Sequence, residues 1–271
     1  MKKIGFIGIG NMGGAILSGY AKSENAENVQ LLAFDMNSEL CMKRKEQIPK
    51  LELCSSGSEL CRKSDTIIIG VKPQVITGVL EEIAEAYDSS KTVISMAAGI
   101  SIRKVQSCLG DEAGIIRIMP NTPAMVGEAM VAMCRNENVS DETFEEATEI
   151  FSGIGRAEHV DESLIDCVIG VSGSSPAYTY MYIQALIEEA AAQGMDERKA
   201  RVFAAQSVLG AAKMVLESSE SVEQLRINVC SPNGTTIEAV NTLFENGFME
   251  NVKEGFRAAV NRSIEMGKEQ Q

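Results

Sequence analysis

Basic residues are scarce beside acidic ones: 25 Lys and Arg against 38 Asp and Glu leave a formal charge of −13. Such a surface repels a phosphate backbone, which argues against nucleic acid as a partner. Histidine occurs once, at His159, and the seven cysteines (Cys41, Cys54, Cys61, Cys108, Cys134, Cys167 and Cys230) include no C-x-x-C pair. Ligands this scattered make no metal site. An odd set of unclustered thiols points to a reduced cytoplasmic protein and not to a disulfide scaffold. Low-complexity tracts and repeats are missing as well. No apolar run approaches ~18 residues, so no membrane span is expected. Met1-Lys2-Lys3 and the apolar residues after it resemble a secretory leader only superficially, because five glycines from Gly5 to Gly14 and Asn11 interrupt the run.

What is present is apolar material in quantity, 45% of 271 residues, enough for one large or two ordinary domains. Up to about residue 160, short β-rich runs alternate with helical patterns. Lys3–Ile9, Val29–Phe34, Thr66–Val71, Thr92–Met96, Ile115–Met119 and Met130–Cys134 are predicted strands. Several are continuous apolar runs, as strands covered on both faces require, which predicts a parallel α/β sheet. Beyond Gly155 the texture turns helical. Helices are predicted from Ser174-Ser175-Pro176 to Gln193, from Asp196 to about Leu216, from Thr236 to Glu245 and from Met249 to Lys268. The expected division is a Rossmann-like dinucleotide-binding domain over 1–160 and an all-helical domain over 161–271.

Gly8-Ile9-Gly10-Asn11-Met12-Gly13 is G-x-G-x-x-G placed after a strand and opening a helix. The glycines allow a tight turn, close approach of a pyrophosphate and close helix packing, while the helix start offers unpaired N–H donors. Asp35 ends the second strand 22 residues after Gly13, where a carboxylate accepts hydrogen bonds from the adenine ribose and favours NADH; a solvated turn carboxylate is the alternative. Asn37, Ser38 and the pair Lys43-Arg44 could instead serve a 2′-phosphate, so the choice between NADH and NADPH stays open. Val71-Lys72-Pro73, Ala97-Ala98-Gly99 and Met119-Pro120-Asn121-Thr122-Pro123 leave the carboxyl ends of three strands, where ligands of doubly wound sheets bind. The small residues at 97–99 admit a flat nicotinamide, or simply make a tight connection. Asn121 sits on a rigid polar shelf between two prolines, and Lys72 is a cofactor contact or an ordinary surface lysine.

In the helical part, Ser231-Pro232-Asn233-Gly234-Thr235-Thr236 breaks one helix and starts the next. N–H groups around Gly234–Ile237 and two threonine hydroxyls suit a carboxylate; a plain threonine N-cap is the competing reading. His159 and the tyrosines of 178–182 read as structural or packing residues.

Taken together these blocks resemble pyrroline-5-carboxylate reductases over nearly the whole length. The resemblance runs through Ile7–Gly13, Val71-Lys72-Pro73, Met96–Gly99, Met119–Pro123, Gly173–Tyr178 and Val229–Ile237, the last two being the most specific. It implies reduction of a small cyclic imine, 1-pyrroline-5-carboxylate, to L-proline by NADPH or NADH. It further implies a helical second domain that forms a homodimer, with larger rings left open. By the same resemblance, Gly8, Ile9, Gly10, Asn11, Met12, Gly13, Lys72, Ala98 and Asn228 would meet the cofactor, and Asp35, Val71 and Pro73 join them from their own places at the strand ends. Ser231, Gly234, Thr235 and Thr236 would hold the substrate, with Thr236 hydrogen-bonded to the imine nitrogen, and Asn121 on its polar shelf is a further substrate candidate. Two departures stand out: Asn233 replaces the family's usual glycine, though asparagine is next best at positive φ, and Asp35 replaces small hydroxyl residues. A β-hydroxyacid-type dehydrogenase is a rival, but it needs an Asn-Lys pair on a second-domain helix that this sequence lacks. A nucleotide sensor without turnover is another. Val202, Val208, Leu209, Met214, Val215, Leu243 and Phe256 recur at helical spacing and call for burial by a second copy; the resemblance implies that this pairing sets the 231–236 loop over its partner's nicotinamide.

Overall fold

The structure is a computed structural model that describes residues 1–269. Its first part comprises β1 (Lys2–Ile7), α1 (Asn11–Tyr20), β2 (Val29–Phe34), α2 (Ser38–Gln47), β3 (Glu52–Leu53), α3 (Gly57–Lys63), β4 (Thr66–Ile69), α4 (Pro73–Ala84), β5 (Thr92–Ser95) and α5 (Ile102–Leu109). Then come β6 (Gly114–Met119), β7 (Ala129–Arg135), α6 (Asp141–Ser152), β8 (Gly155–His159) and the short α7 (Ile165–Val168). The strands form one sheet in the order β3-β2-β1-β4-β5-β6-β7-β8.

Alternate residues of the apolar runs serve opposite faces. Ile4, Phe6, Ile68, Ile94, Ile116 and Ile118 pack into one core with α1 and α6. Ile7, Ile67, Ile69, Val93 and Ile115 pack into the other with α3, α4 and α5. Both faces are buried, so the strands show no polar alternation.

The expectation of a parallel sheet needs one correction. β6 and β7 run antiparallel, with Ile116 opposite Arg135 and Met119 opposite Ala132. Their connection is only a 3₁₀ turn at Thr122–Val126 ended by Gly127 at φ +80°, too short for a parallel crossover. β8 returns to parallel pairing because α6 supplies the crossover from β7.

The remaining helices are α8 (Ser175–Ala192), α9 (Glu197–Glu217), α10 (Val222–Val229), α11 (Thr235–Glu245) and α12 (Phe248–Glu269). The described chain separates into two compact units, residues 1–174 with 259–269, and Ser175–Ala258. This cut lies later than the expected division after residue 160. Residues 161–174 pack onto the sheet: Ile165 is buried in the second core, and Glu162 pairs with Arg117 of β6 at 2.9 Å. Within the second unit only Ala200 and Ala204 are buried. Among the described residues no helix is long and apolar enough to cross a membrane.

Candidate active site

The sheet order reverses at β1 and β4, where the chain leaves β1 for β2 on one side and enters β4 on the other. A crevice outside the carboxyl ends of such a strand pair is where ligands sit in this architecture. The glycine loop lies there, and each of its glycines has a separate reason. Gly8 adopts φ +83°, and a Cβ on it would lie 2.7 Å from Val71 Cγ1. A Cβ on Gly13 would lie 2.1 Å from the Gly8 carbonyl oxygen, so this glycine lets α1 close onto the strand. A Cβ on Gly10 would meet nothing within 4 Å. Gly10 therefore leaves open space in front of the helix start, the cradle a pyrophosphate needs. A further glycine, Gly70 after β4, packs against the loop: its Cβ would stand 2.6 Å from Gly8 O and 3.1 Å from Gly13 Cα. Sequence reading missed Gly70, although it adjoins Val71-Lys72-Pro73.

Helix starts separate into two kinds. The side chains of Asn37, Ser56, Ser101, Ser140, Asp196 and Ser221 cap α2, α3, α5, α6, α9 and α10. By contrast α1 behind Gly10, α4 behind Lys72 and α11 behind Gly234 have no side-chain cap bond. The first N–H groups of α1 and α11 remain donors for a ligand, as does that of Gln74 in α4, since Pro73 has none.

Asp35 is half-buried and faces the glycine loop. Its Oδ2 accepts the Ile9 N–H at 2.9 Å and its Oδ1 accepts the Asn37 N–H at 2.9 Å. A carboxylate offers about four acceptor positions, so two remain for ribose hydroxyls. Of the residues that could meet a 2′-phosphate, Asn37 caps α2 through Oδ1 to Leu40 N–H, while Ser38 and Lys43 are exposed. Arg44 turns away toward α1: Nη1 donates to Ser18 Oγ at 3.4 Å and to Gln47 Oε1 at 3.2 Å. It lines a cavity of about 540 Å³ along the flank of α1 that includes Asn11, Ala15 and Lys22.

Lys72 is exposed, whereas Val71, Pro73 and Ala98 are half-buried at the ends of β4 and β5. Asn121 has a task other than the expected one. It is buried; Nδ2 donates to Ser172 O at 3.1 Å and Oδ1 accepts the Met130 N–H at 2.9 Å. Its amide thus fastens the 119–123 shelf to its neighbours instead of lying free for substrate.

In the second unit, Asn228 exchanges hydrogen bonds with Glu220 and Gln224 on the exposed side of α10. The loop after it folds tightly: Gly234 N–H donates to Ser231 O at 3.0 Å, and a Cβ on Gly234 would fall 2.3 Å from Ser231 Oγ. Asn233 is the one non-glycine residue with positive φ among the described residues, at +55°. This position is therefore left-handed, a backbone that asparagine tolerates. Thr235 begins α11, one residue earlier than expected, with Thr235 exposed and Thr236 half-buried.

No group of His, Cys, Asp and Glu suited to a metal occurs among the described residues. Burial pushes the thiols of Cys54 and Cys61 up to about 11 and that of Cys134 up to about 12, so at neutral pH they are protonated packing residues and poor nucleophiles.

The chain is similar in sequence and fold to known proteins. Residues 162–266 match the family model described as pyrroline-5-carboxylate reductase dimerisation, and residues 3–99 match that described as NADP oxidoreductase coenzyme F420-dependent. The pyrroline-5-carboxylate reductase of Escherichia coli strain K12 is 40% identical over 267 residues, covering 98% of this chain and 99% of that protein. That of Methanosarcina acetivorans is 38% identical, covering 99% and 97%. Among solved structures, Plasmodium falciparum pyrroline carboxylate reductase with NADP bound is similar at a TM-score of 0.87 and 32% identity, covering 98% of each chain.

Proposed function

The chain belongs to the pyrroline-5-carboxylate reductase family, and from that premise we propose how its own residues reduce 1-pyrroline-5-carboxylate to L-proline with NAD(P)H. The observation that carries the assignment of residues is the pair of glycine-led, uncapped helix starts, one in each compact unit. The first suits the cofactor. Gly8, Gly10 and Gly13 shape the cradle, the N–H groups of Asn11, Met12 and Gly13 face the diphosphate, and Asp35 fixes Ile9 while keeping acceptor capacity for the ribose. Val71, Lys72, Pro73 and Ala98 border the path toward the nicotinamide; Asn228 is a further contact taken from the family resemblance.

The second helix start suits the substrate carboxylate. Ser231, Gly234 and Thr235 offer a hydroxyl, backbone N–H groups and a second hydroxyl around one uncapped turn, and the helix dipole favours an anion there. Thr236 donates its hydroxyl proton toward the imine nitrogen, holding the ring in orientation. A hydroxyl is a weak general acid, so its part is positioning and not a large proton-transfer factor. When bound, the reduced nicotinamide supplies the hydride to the imine carbon. The charge at Asp35 disfavours a 2′-phosphate, so both NADH and NADPH belong in the assay.

Both loops must serve one substrate molecule. The second unit leaves Val202, Phe203, Leu209, Met214 and Leu216 exposed by 67%, 66%, 57%, 56% and 65%, more than a monomer usually presents to water. This supports a homodimer joined through that unit, with each 231–236 loop completing the partner's site. Unclustered thiols suit a reducing, cytoplasmic setting. The direct test is Thr236→Ala in a reductase assay. Leaving a polar partner unpaired costs about 1–3 kcal/mol, so kcat/KM for the imine should fall roughly 5- to 150-fold with the Kd for NAD(P)H unchanged. Full activity in the variant would remove Thr236 from the site.

A further inference from the structure

A second cavity, about 220 Å³, opens in the first unit between the turn after β5, the start of α5 and the last turns of α12. Its walls carry three cations, Lys104, Arg117 and Lys268, and one acid, Asp166. In a chain of net charge −13 this is a local reversal of sign. The acid is already engaged, because Asp166 Oδ1 accepts the Ser263 hydroxyl proton. Outside the cavity's lining, Glu162 Oε1 accepts from Arg117 Nη1 at 2.9 Å and from the Ile102 N–H at 2.8 Å. Counting both acids, the cluster keeps a surplus of one positive charge.

Arg117 is the unusual member. It is only 7% exposed, and among the described residues its Nε has no hydrogen-bond partner. Glu162 answers only one corner of the guanidinium. Buried N–H groups without acceptors are rare and costly, and each calls for an explanation. Among the described residues neither Lys104 nor Lys268 enters an ion pair. A guanidinium fork sharing a cavity with two ammonium groups matches an anion of tetrahedral shape such as phosphate. The space is equivalent to roughly seven waters at about 30 Å³ each, which admits one small anion with some water but not a dinucleotide. None of Gly8–Gly13 lines it, so this cavity is distinct from the glycine loop. One wall is nonetheless Gly99, at φ +74°, where a Cβ would lie 3.1 Å from the Gly267 nitrogen. The cavity is thus closed by helix backbone resting on the turn directly after Ala98.

We propose that this cavity is a second anion site that takes a phosphate group, as inorganic phosphate or on a small phosphomonoester, held by Arg117, Lys104 and Lys268. The test is calorimetric titration of the full chain, saturated with NADPH so that the glycine loop is filled, against inorganic phosphate and against glycerol 3-phosphate. Sodium chloride at matched ionic strength is the control. One saturable site per chain is expected, and whichever probe binds more tightly identifies the source of the phosphate group. In the double variant Lys104→Gln/Lys268→Gln, both partly or fully exposed positions whose change leaves the core alone, the phosphate Kd should rise at least tenfold while the Kd for NADPH stays within twofold. Arg117→Lys, which keeps the charge and loses the fork, should weaken binding as well if it folds. Heats no larger than those of chloride, or an unchanged phosphate Kd in the double variant, would overturn the proposal.

Discussion

A carboxylate that accepts two backbone N–H bonds shapes a loop as well as charging it, and Asp35 does both. Its oxygens take the N–H groups of Ile9 and Asn37, so substitutions there divide into two effects. Asp35→Asn keeps an acceptor and removes the charge; Asp35→Ser removes the charge and shortens the reach. Both should raise kcat/KM with NADPH relative to NADH, because repulsion of a 2′-phosphate is relieved. Both variants should also lose ground with both cofactors, by about 1–3 kcal/mol for each orphaned donor: asparagine, with a single acceptor oxygen, leaves one of the two N–H groups facing its NH2, and the shorter serine leaves at least one unmet. An unchanged cofactor ratio in both variants would place Asp35 away from the ribose. The second telling residue is Asn233. At φ +55° it stands where glycine costs nothing and a β-branched residue pays about 1–2 kcal/mol. Asn233→Gly should therefore be neutral, whereas Asn233→Val should raise KM for the imine and leave KM for the cofactor alone; equal effects on both would detach the loop from substrate binding.

At the scale of elements, the glycine loop makes three positions of one motif separable. Gly10→Ala meets open space, so the Tm should hardly change while NAD(P)H binding falls at least tenfold, the added methyl occupying the cradle. Gly13→Ala would put a methyl 2.1 Å from Gly8 O, so it should lower the Tm itself, read by thermal unfolding without cofactor. If Gly10→Ala binds cofactor normally, the diphosphate lies elsewhere. This loop was legible from the sequence because glycine spacing records backbone need directly. Strand existence was legible for the same kind of reason: a run such as Thr66-Ile67-Ile68-Ile69 is apolar throughout because both faces are covered. Strand direction was not. The reversal of β7 follows from a connection too short to cross over, and an apolar run is the same read either way. β8 escaped notice since Gly155–His159 is polar and lies at the sheet edge. The task of Asn121 was likewise hidden, because its acceptor, the carbonyl of Ser172, is 51 residues away in sequence.

For the whole molecule, the informative quantity is how little the second unit buries. Two alanines are its only buried residues among 175–258, and hydrophobic stabilisation of about 25 cal/mol per Å² cannot accumulate on surface left in water. The division of the chain also alters how dimer dependence can be tested. A chain cut after Asp161 would strip Glu162 from buried Arg117 and Ile165 from the core, so loss of cofactor binding there would report misfolding. Intact subunits avoid this difficulty. Gly10→Ala chains lack a working cofactor cradle but keep the 231–236 loop, and Thr236→Ala chains are the reverse. If each loop serves the partner's cofactor, a mixed dimer holds one site with both defects and one with neither. Mixing the two variants in equal amounts, with exchange verified by mass-tagged subunits, leaves about half of the dimers mixed, each with one intact site of two. Activity should then recover to roughly a quarter of the wild-type value, following the site-sharing arithmetic of a twofold dimer. If each chain instead builds its site alone, every subunit in the mixture carries one defect and activity stays at the mean of the two variants. Sedimentation fixes the premise beforehand: a full-length chain that runs as a monomer and still turns over would defeat the shared site outright.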